Sequence, residues 1–167
     1  VGEFLLHLLK QEMDMIKFAK ERVNLICSQL KGWSVVQKVP LEHMQVKEGC
    51  FITPEEADAA PGEWKNFDMG RDHWYGLDRH YWFRTEVTVP ESFDGKELWL
   101  RIHTGLDDWD DGRNPQFLLF INGQVIQGLD INHREVFVKA DAKAGESFRM
   151  DLQSYTGTIH KEFHLIV

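Results

Sequence analysis

The sequence is poor in cysteine. Only two of its 167 residues are cysteine, Cys27 and Cys50, and neither sits in a CxxC or in any metal-spaced set. That excludes a zinc ribbon and a thioredoxin-like redox motif. Two thiols without framework spacing fit a reducing compartment, so they are expected unpaired and the protein cytoplasmic. Long apolar runs are lacking too. The leading one, FLLHLL, follows Glu3, contains a histidine and is too short to span a bilayer. No basic stretch precedes it, so it does not read as a secretory signal. Basic residues are in the minority. Nineteen Lys and Arg against 27 Asp and Glu give a formal charge of −8. That argues against nucleic acid and anionic membranes as partners, since both reward clusters of Lys and Arg. GxSxG, P-loop, GxGxxG and Cys–His signatures are also missing.

What is present is enough apolar residue for a core. Hydrophobic residues make up 43% and aromatics 12%, which argues for one folded domain rather than disorder. The chain begins without Met and stops inside the apolar run HLIV, so a piece of a longer protein is expected. Leu5, Leu9, Met13, Ile16, Ala19, Val23, Ile26 and Leu30 recur at spacings of three and four, one face of an amphipathic helix. Gly32 is placed to cap its C-terminus. The expected organisation is a helix and connector over residues 1–32 and a β domain over 33–167.

After Trp33 the period becomes two. Strands are expected at Trp33–Pro40, His80–Pro90, Glu97–His103, Glu135–Ala140, Glu146–Tyr155 and Ile159–Val167. Phe117–Gly128 carries Asn-Gly between two apolar runs, the signature of a two-residue hairpin turn that needs positive φ twice. Short strands with a turn every ten or so residues point to an antiparallel sandwich. Two stretches read as loops, Glu55–Trp64 and the aromatic, charged Phe67–His80.

The charged stretch Asp107–Gln116, DDWDDGRNPQ, invites several chemistries. An EF-hand loop with Gly112 at position six puts Trp109 at three and Leu118 at twelve, so that motif fails. A different calcium loop using some of Asp107, Asp108, Asp110 and Asp111 stays open. Asp108 and Asp110 could flank a glycosidic bond, but adjacent loop aspartates lack the rigid support such chemistry needs. Trp74, Tyr75, Trp82 and Trp109 could stack on a sugar ring, against the plainer reading of core or interface aromatics. His160, Glu162 and His164 share a strand face without a third close zinc ligand, and read as a polar sheet face.

The stretches WFRTEVTVP (Trp82–Pro90) and FLLFINGQVIQGLDINHREV (Phe117–Val136) resemble the N-terminal domain of glycoside hydrolase family 38 α-mannosidases, of the bacterial and fungal vacuolar type. The resemblance implies a mainly β fold, a galactose-binding-like jelly-roll β-sandwich preceded by a helix. It also implies a catalytic domain after Val167 that hydrolyses α-mannosides with retention, using an aspartate nucleophile and zinc. No catalytic residue carries over to this chain, and the zinc belongs to that other domain. The implied partners are that catalytic domain, a mannose-containing glycan, and further copies of the parent in a homo-oligomer. Loop length and composition nominate Trp74, Tyr75, Asp78, Arg79, Trp82, Asp108, Trp109, Asp110 and Arg113 for contact with sugar or with the catalytic domain. The alternatives are an autonomous carbohydrate-binding module and a structural module that oligomerises through its helix.

Overall fold

The computed structural model describes residues 18–105, 115–130, 132–158 and 162–167. The chain divides into two compact units, Val1–Val39 and Pro40–Val167. In the first, helix α1 runs over Ala19–Ser34. Glu21 in its first turn and Lys31 in its last complement the helix dipole. The helix passes through Gly32 instead of ending there. Ser34 closes it by donating from Oγ to the carbonyl of Lys31 at 2.9 Å. The earlier half of the expected helix lies outside the described residues. The strand expected over Trp33–Pro40 does not form. Trp33 and Ser34 finish α1, and residues 35–40 join no sheet. Their valines favour extended backbone, but a strand also needs a partner ladder.

The second unit is mainly β, and its strand pairs are antiparallel. Strands β1 (His43–Glu48), β2 (Lys65–Asp68), β4 (His80–Thr88), β6 (Gln116–Ile121), β7 (Gln124–Leu129) and β9 (Ser147–Tyr155) form one sheet, in the order β2-β1-β4-β9-β6-β7. Two smaller ladders pair β3 (Trp74–Tyr75) with β10 (Glu162–Phe163), and β5 (Leu98–Arg101) with β8 (Glu135–Lys139). An antiparallel bridge between His103 and Ile166 joins the ends of these ladders into a second layer. Two facing layers are consistent with a β-sandwich.

Alternation decides what each strand buries. Phe83 and Val87 of β4, Phe148, Met150 and Leu152 of β9, and Phe117 and Leu119 of β6 point inward. They meet Trp74, Leu100, Ile102, Val136, Phe163 and Leu165. Fully burying one such side chain stabilises the fold by about 1.5–3 kcal/mol. The hairpin turns where Asn-Gly predicts, with Asn122 at φ 50° and Gly123 at φ 80°.

The other face of the large sheet is partly covered as well. Glu55–Trp64, expected as a loop, holds all but the first residue of helix α2 (Pro54–Ala59). Thr53 caps it: Glu56 N donates to Thr53 Oγ1 at 3.2 Å, and Ile52 N donates to the Glu56 carboxylate at 3.0 Å. Thr53-Pro54-Glu55-Glu56 has the T-x-x-E pattern of a capping box, with proline at the first helical position, and its return bond goes to the residue before the cap. Beneath α2, Ala57, Trp82 and Phe120 form a second buried cluster, flanked by Phe51, Trp64 and Leu118.

Candidate functional site

Among the described residues, the nominated ones that lie exposed, Tyr75, Asp78 and Arg79, gather at one end of the second unit. In β3 the period of two sends Trp74 inward and leaves Tyr75 59% exposed. The chain then turns at Gly76, whose φ is 125° and where a Cβ would sit 2.5 Å from Arg79 Cγ. Asp78 follows at φ 54°. Backbone contacts to the end of β9 fix this turn. Asp78 N donates to the Gly157 carbonyl at 2.8 Å, Arg79 N to Thr156 Oγ1 at 3.0 Å, and Thr156 N to the Arg79 carbonyl at 3.0 Å.

The side chains of the turn are held as firmly. Arg79 Nη1 meets Glu48 Oε1 at 2.9 Å. The Tyr81 hydroxyl donates to the Tyr75 carbonyl at 2.8 Å, and the Tyr155 hydroxyl to Asp78 Oδ1 at 2.9 Å. The His80 and Tyr155 rings stack with centroids 4.8 Å apart. The Tyr155 phenol is held above its ordinary range, chiefly because its proton is shared with the Asp78 carboxylate. The Tyr81 phenol is also raised, first by burial and then by the nearby Glu48 charge. The end therefore presents one free aromatic face, Tyr75, beside polar groups fixed by each other. Such a set suits contact better than proton transfer, which needs an acid or base free to reach a substrate.

Burial removes two nominated residues from this surface. Trp74 is 2% exposed and Trp82 fully buried. Trp74 lies edge-on to Phe83 and Phe117 in the main core and donates from Nε1 to the His164 carbonyl at 3.2 Å. Trp82 does point to the outer face of the sheet, but α2 covers it against Ala57 and Phe120. Neither can stack on a sugar. Asp108, Trp109, Asp110 and Arg113 lie outside the described residues, as do all four aspartates of the calcium alternative. Just after them, Gln116 at the start of β6 pairs with Tyr155 in the β6–β9 ladder.

Sequence reasoning missed a charged cluster on the outer face of the large sheet. Arg84 Nε donates to Asp151 Oδ1 at 2.6 Å, and Arg149 Nε donates to Asp151 Oδ2 at 2.8 Å. Both guanidiniums also reach Asp58 of α2, Arg149 at 3.0 Å. The Arg84 guanidinium lies 4.0 Å from the centre of the Trp64 ring. Burial would raise the Asp58 carboxyl, but the hydrogen bonds from Arg84 and Arg149 outweigh it and hold the group below its ordinary range. Burial opposes the Arg149 charge too, and the Asp151 and Asp58 contacts outweigh it. Lys47, almost fully buried, donates from Nζ to the carbonyls of Ala57 and Ala60, each at 2.8 Å. It thereby satisfies the otherwise orphaned C-terminus of α2. The readable signal was alternation: Arg149 and Asp151 interleave with Phe148, Met150 and Leu152.

Cys27 and Cys50 are unpaired and exposed. Among the described residues no three His, Cys, Asp or Glu gather as a metal-ligand set. Among them also, no helix is long and apolar enough to cross a membrane. The sequence matches no protein-family model, and no curated protein matches it significantly.

Proposed function

We propose that the chain is a non-catalytic accessory domain of an α-mannosidase. On this reading the second unit is a jelly roll of galactose-binding-like type. It docks on a catalytic domain of the same protein and supports it. The zinc and the nucleophile belong to that domain, and the substrate is a terminal α-mannoside of a glycan or oligosaccharide.

The observation that carries the reading is the Tyr75–Arg79 end. It is an exposed, conformationally fixed surface whose carboxylates are already engaged, Asp78 by Tyr155 and Glu48 by Arg79. Preorganised side chains lose little freedom on association. The resembling stretches add support, since Trp82–Pro90 contains most of β4 and Phe117–Val136 spans the β6–β7 hairpin into β8. Two exposed free thiols fit a cytoplasmic setting.

The reading is tested by Tyr75→Ala combined with Arg79→Ala, made both in this chain and in the native-length protein. The Arg79–Glu48 pair is solvent-exposed and worth at most about 1 kcal/mol. The isolated chain should therefore melt nearly as before, while the native-length protein loses thermal stability and mannosidase activity. Equal behaviour of the two native-length proteins would remove this end from docking.

A further inference from the structure

The outer face of the large sheet holds an open cavity of about 380 Å³ beside α2, within the roughly 300–1,000 Å³ of small-molecule sites. We propose that this groove binds a neutral, polyhydroxylated molecule the size of one sugar ring. The inference concerns a different surface from the Tyr75–Arg79 end and stands without the docking role.

Strand register sets out the groove. Asn66, Gln45 and Arg84 lie abreast across β2, β1 and β4, and Glu86 lies beside Arg149 across β4 and β9. All five line the cavity, together with His43. Among the described residues, the side chains of Gln45, Asn66 and Glu86 have no hydrogen-bond partner. Their neighbours are occupied: His43 Nδ1 lies 2.8 Å from Asp68 Oδ1, and Arg84 and Arg149 are clamped by Asp58 and Asp151. The clamp fixes one wall, and the sheet backbone fixes the spacing of the other groups.

The chemistry of the open groups selects the ligand. Gln45 and Asn66 each donate and accept, Glu86 only accepts, and Arg149 can only donate, through the Nη1 that Asp58 and Asp151 leave unengaged. A hydroxyl also donates and accepts, so a ring with adjacent hydroxyls can satisfy the whole set. An apolar ligand would strip water from these groups and leave them unpaired. The two guanidiniums are balanced by Asp58 and Asp151, which leaves the Glu86 carboxylate as the uncompensated charge. A phosphate would meet that charge.

The test is nuclear magnetic resonance of the side-chain amides of Gln45 and Asn66 in the 167-residue chain. The probes are methyl α-D-mannopyranoside, methyl β-D-glucopyranoside, myo-inositol and inorganic phosphate. The inference predicts saturable shifts with at least one of the three polyols, and none with phosphate. Glu86→Gln and Gln45→Ala should each weaken that binding about tenfold. Both positions are exposed, and an unchanged melting curve shows that each variant folds. The inference is overturned if no polyol moves these amides at tens of millimolar. It is also overturned if phosphate binds more tightly, or if folded variants bind as before. None of these outcomes bears on mannosidase activity, so this test and the docking test fail separately.

Discussion

Arg84 on β4 and Asp151 on β9 face each other across the large sheet, joined through Nε and Oδ1 at 2.6 Å, with the Asp151 side chain fully buried. A buried carboxylate is tolerable only while its partners stay in place. Asp151 has two, Arg84 and Arg149, and both also reach Asp58 on α2. The cluster therefore ties α2 to the sheet and shapes the wall of the adjoining groove.

Asp151→Ala removes the buried charge but leaves two guanidiniums facing a void. It should cost about 3–5 kcal/mol, the range for breaking one side of a buried pair. Urea unfolding measures it. A loss under 1 kcal/mol would show that the cluster contributes little.

Asp58 gives the cluster a pH dependence. Its carboxyl is held below its ordinary value of 3.8 in the folded chain. A depressed carboxyl contributes stability that is fully present above the unfolded value and is lost as pH falls through the folded one. The wild type should thus lose more stability than Asp58→Asn on going from pH 5 to pH 2. Parallel unfolding curves across that range would contradict the assignment.

Lys47→Met keeps the length of the side chain and deletes its charge. The carbonyls of Ala57 and Ala60 then lose their donor. The expected loss is about 1–3 kcal/mol, with faster amide exchange confined to residues 53–60. Protection there equal to wild type would mean that α2 is held by packing alone.

Tyr155 should titrate above the usual phenol because Asp78 accepts its proton in a hydrogen bond. Asp78→Ala should bring that titration down toward 10.0, as followed by ultraviolet difference spectroscopy. The raised value means that the contact stabilises the fold below pH 10 and is lost as pH rises beyond it. An unmoved titration would break the link between the two residues.

The strands with clear alternation were readable because each buries one face. His80–Pro90 became β4, Glu146–Tyr155 became β9, and Asn122-Gly123 turned the hairpin. β1 and β2 were not readable. His43–Glu48 and Lys65–Asp68 carry polar side chains that other elements cover or pair, notably Lys47 under α2 and His43 against Asp68. The valines of residues 35–39 misled for the opposite reason, since propensity without a pairing partner forms no strand. For the site, Trp74 and Trp82 looked like platforms because a tryptophan shows no burial in its own letter. Only the ladder with β10 and the lid of α2 place them inside. Tyr75, Asp78 and Arg79 were legible as a polar loop, but the contacts of Asp78 with Gly157 and of Arg79 with Thr156 span 77 or more positions of sequence.

The accessory-domain reading is tested most directly by hydrolysis of an aryl α-D-mannoside, comparing the native-length protein with the 167-residue chain. The reading predicts zinc-dependent hydrolysis by the native-length protein and none by the chain alone. Hydrolysis by the chain itself, or a native-length protein that leaves the mannoside intact, would contradict it.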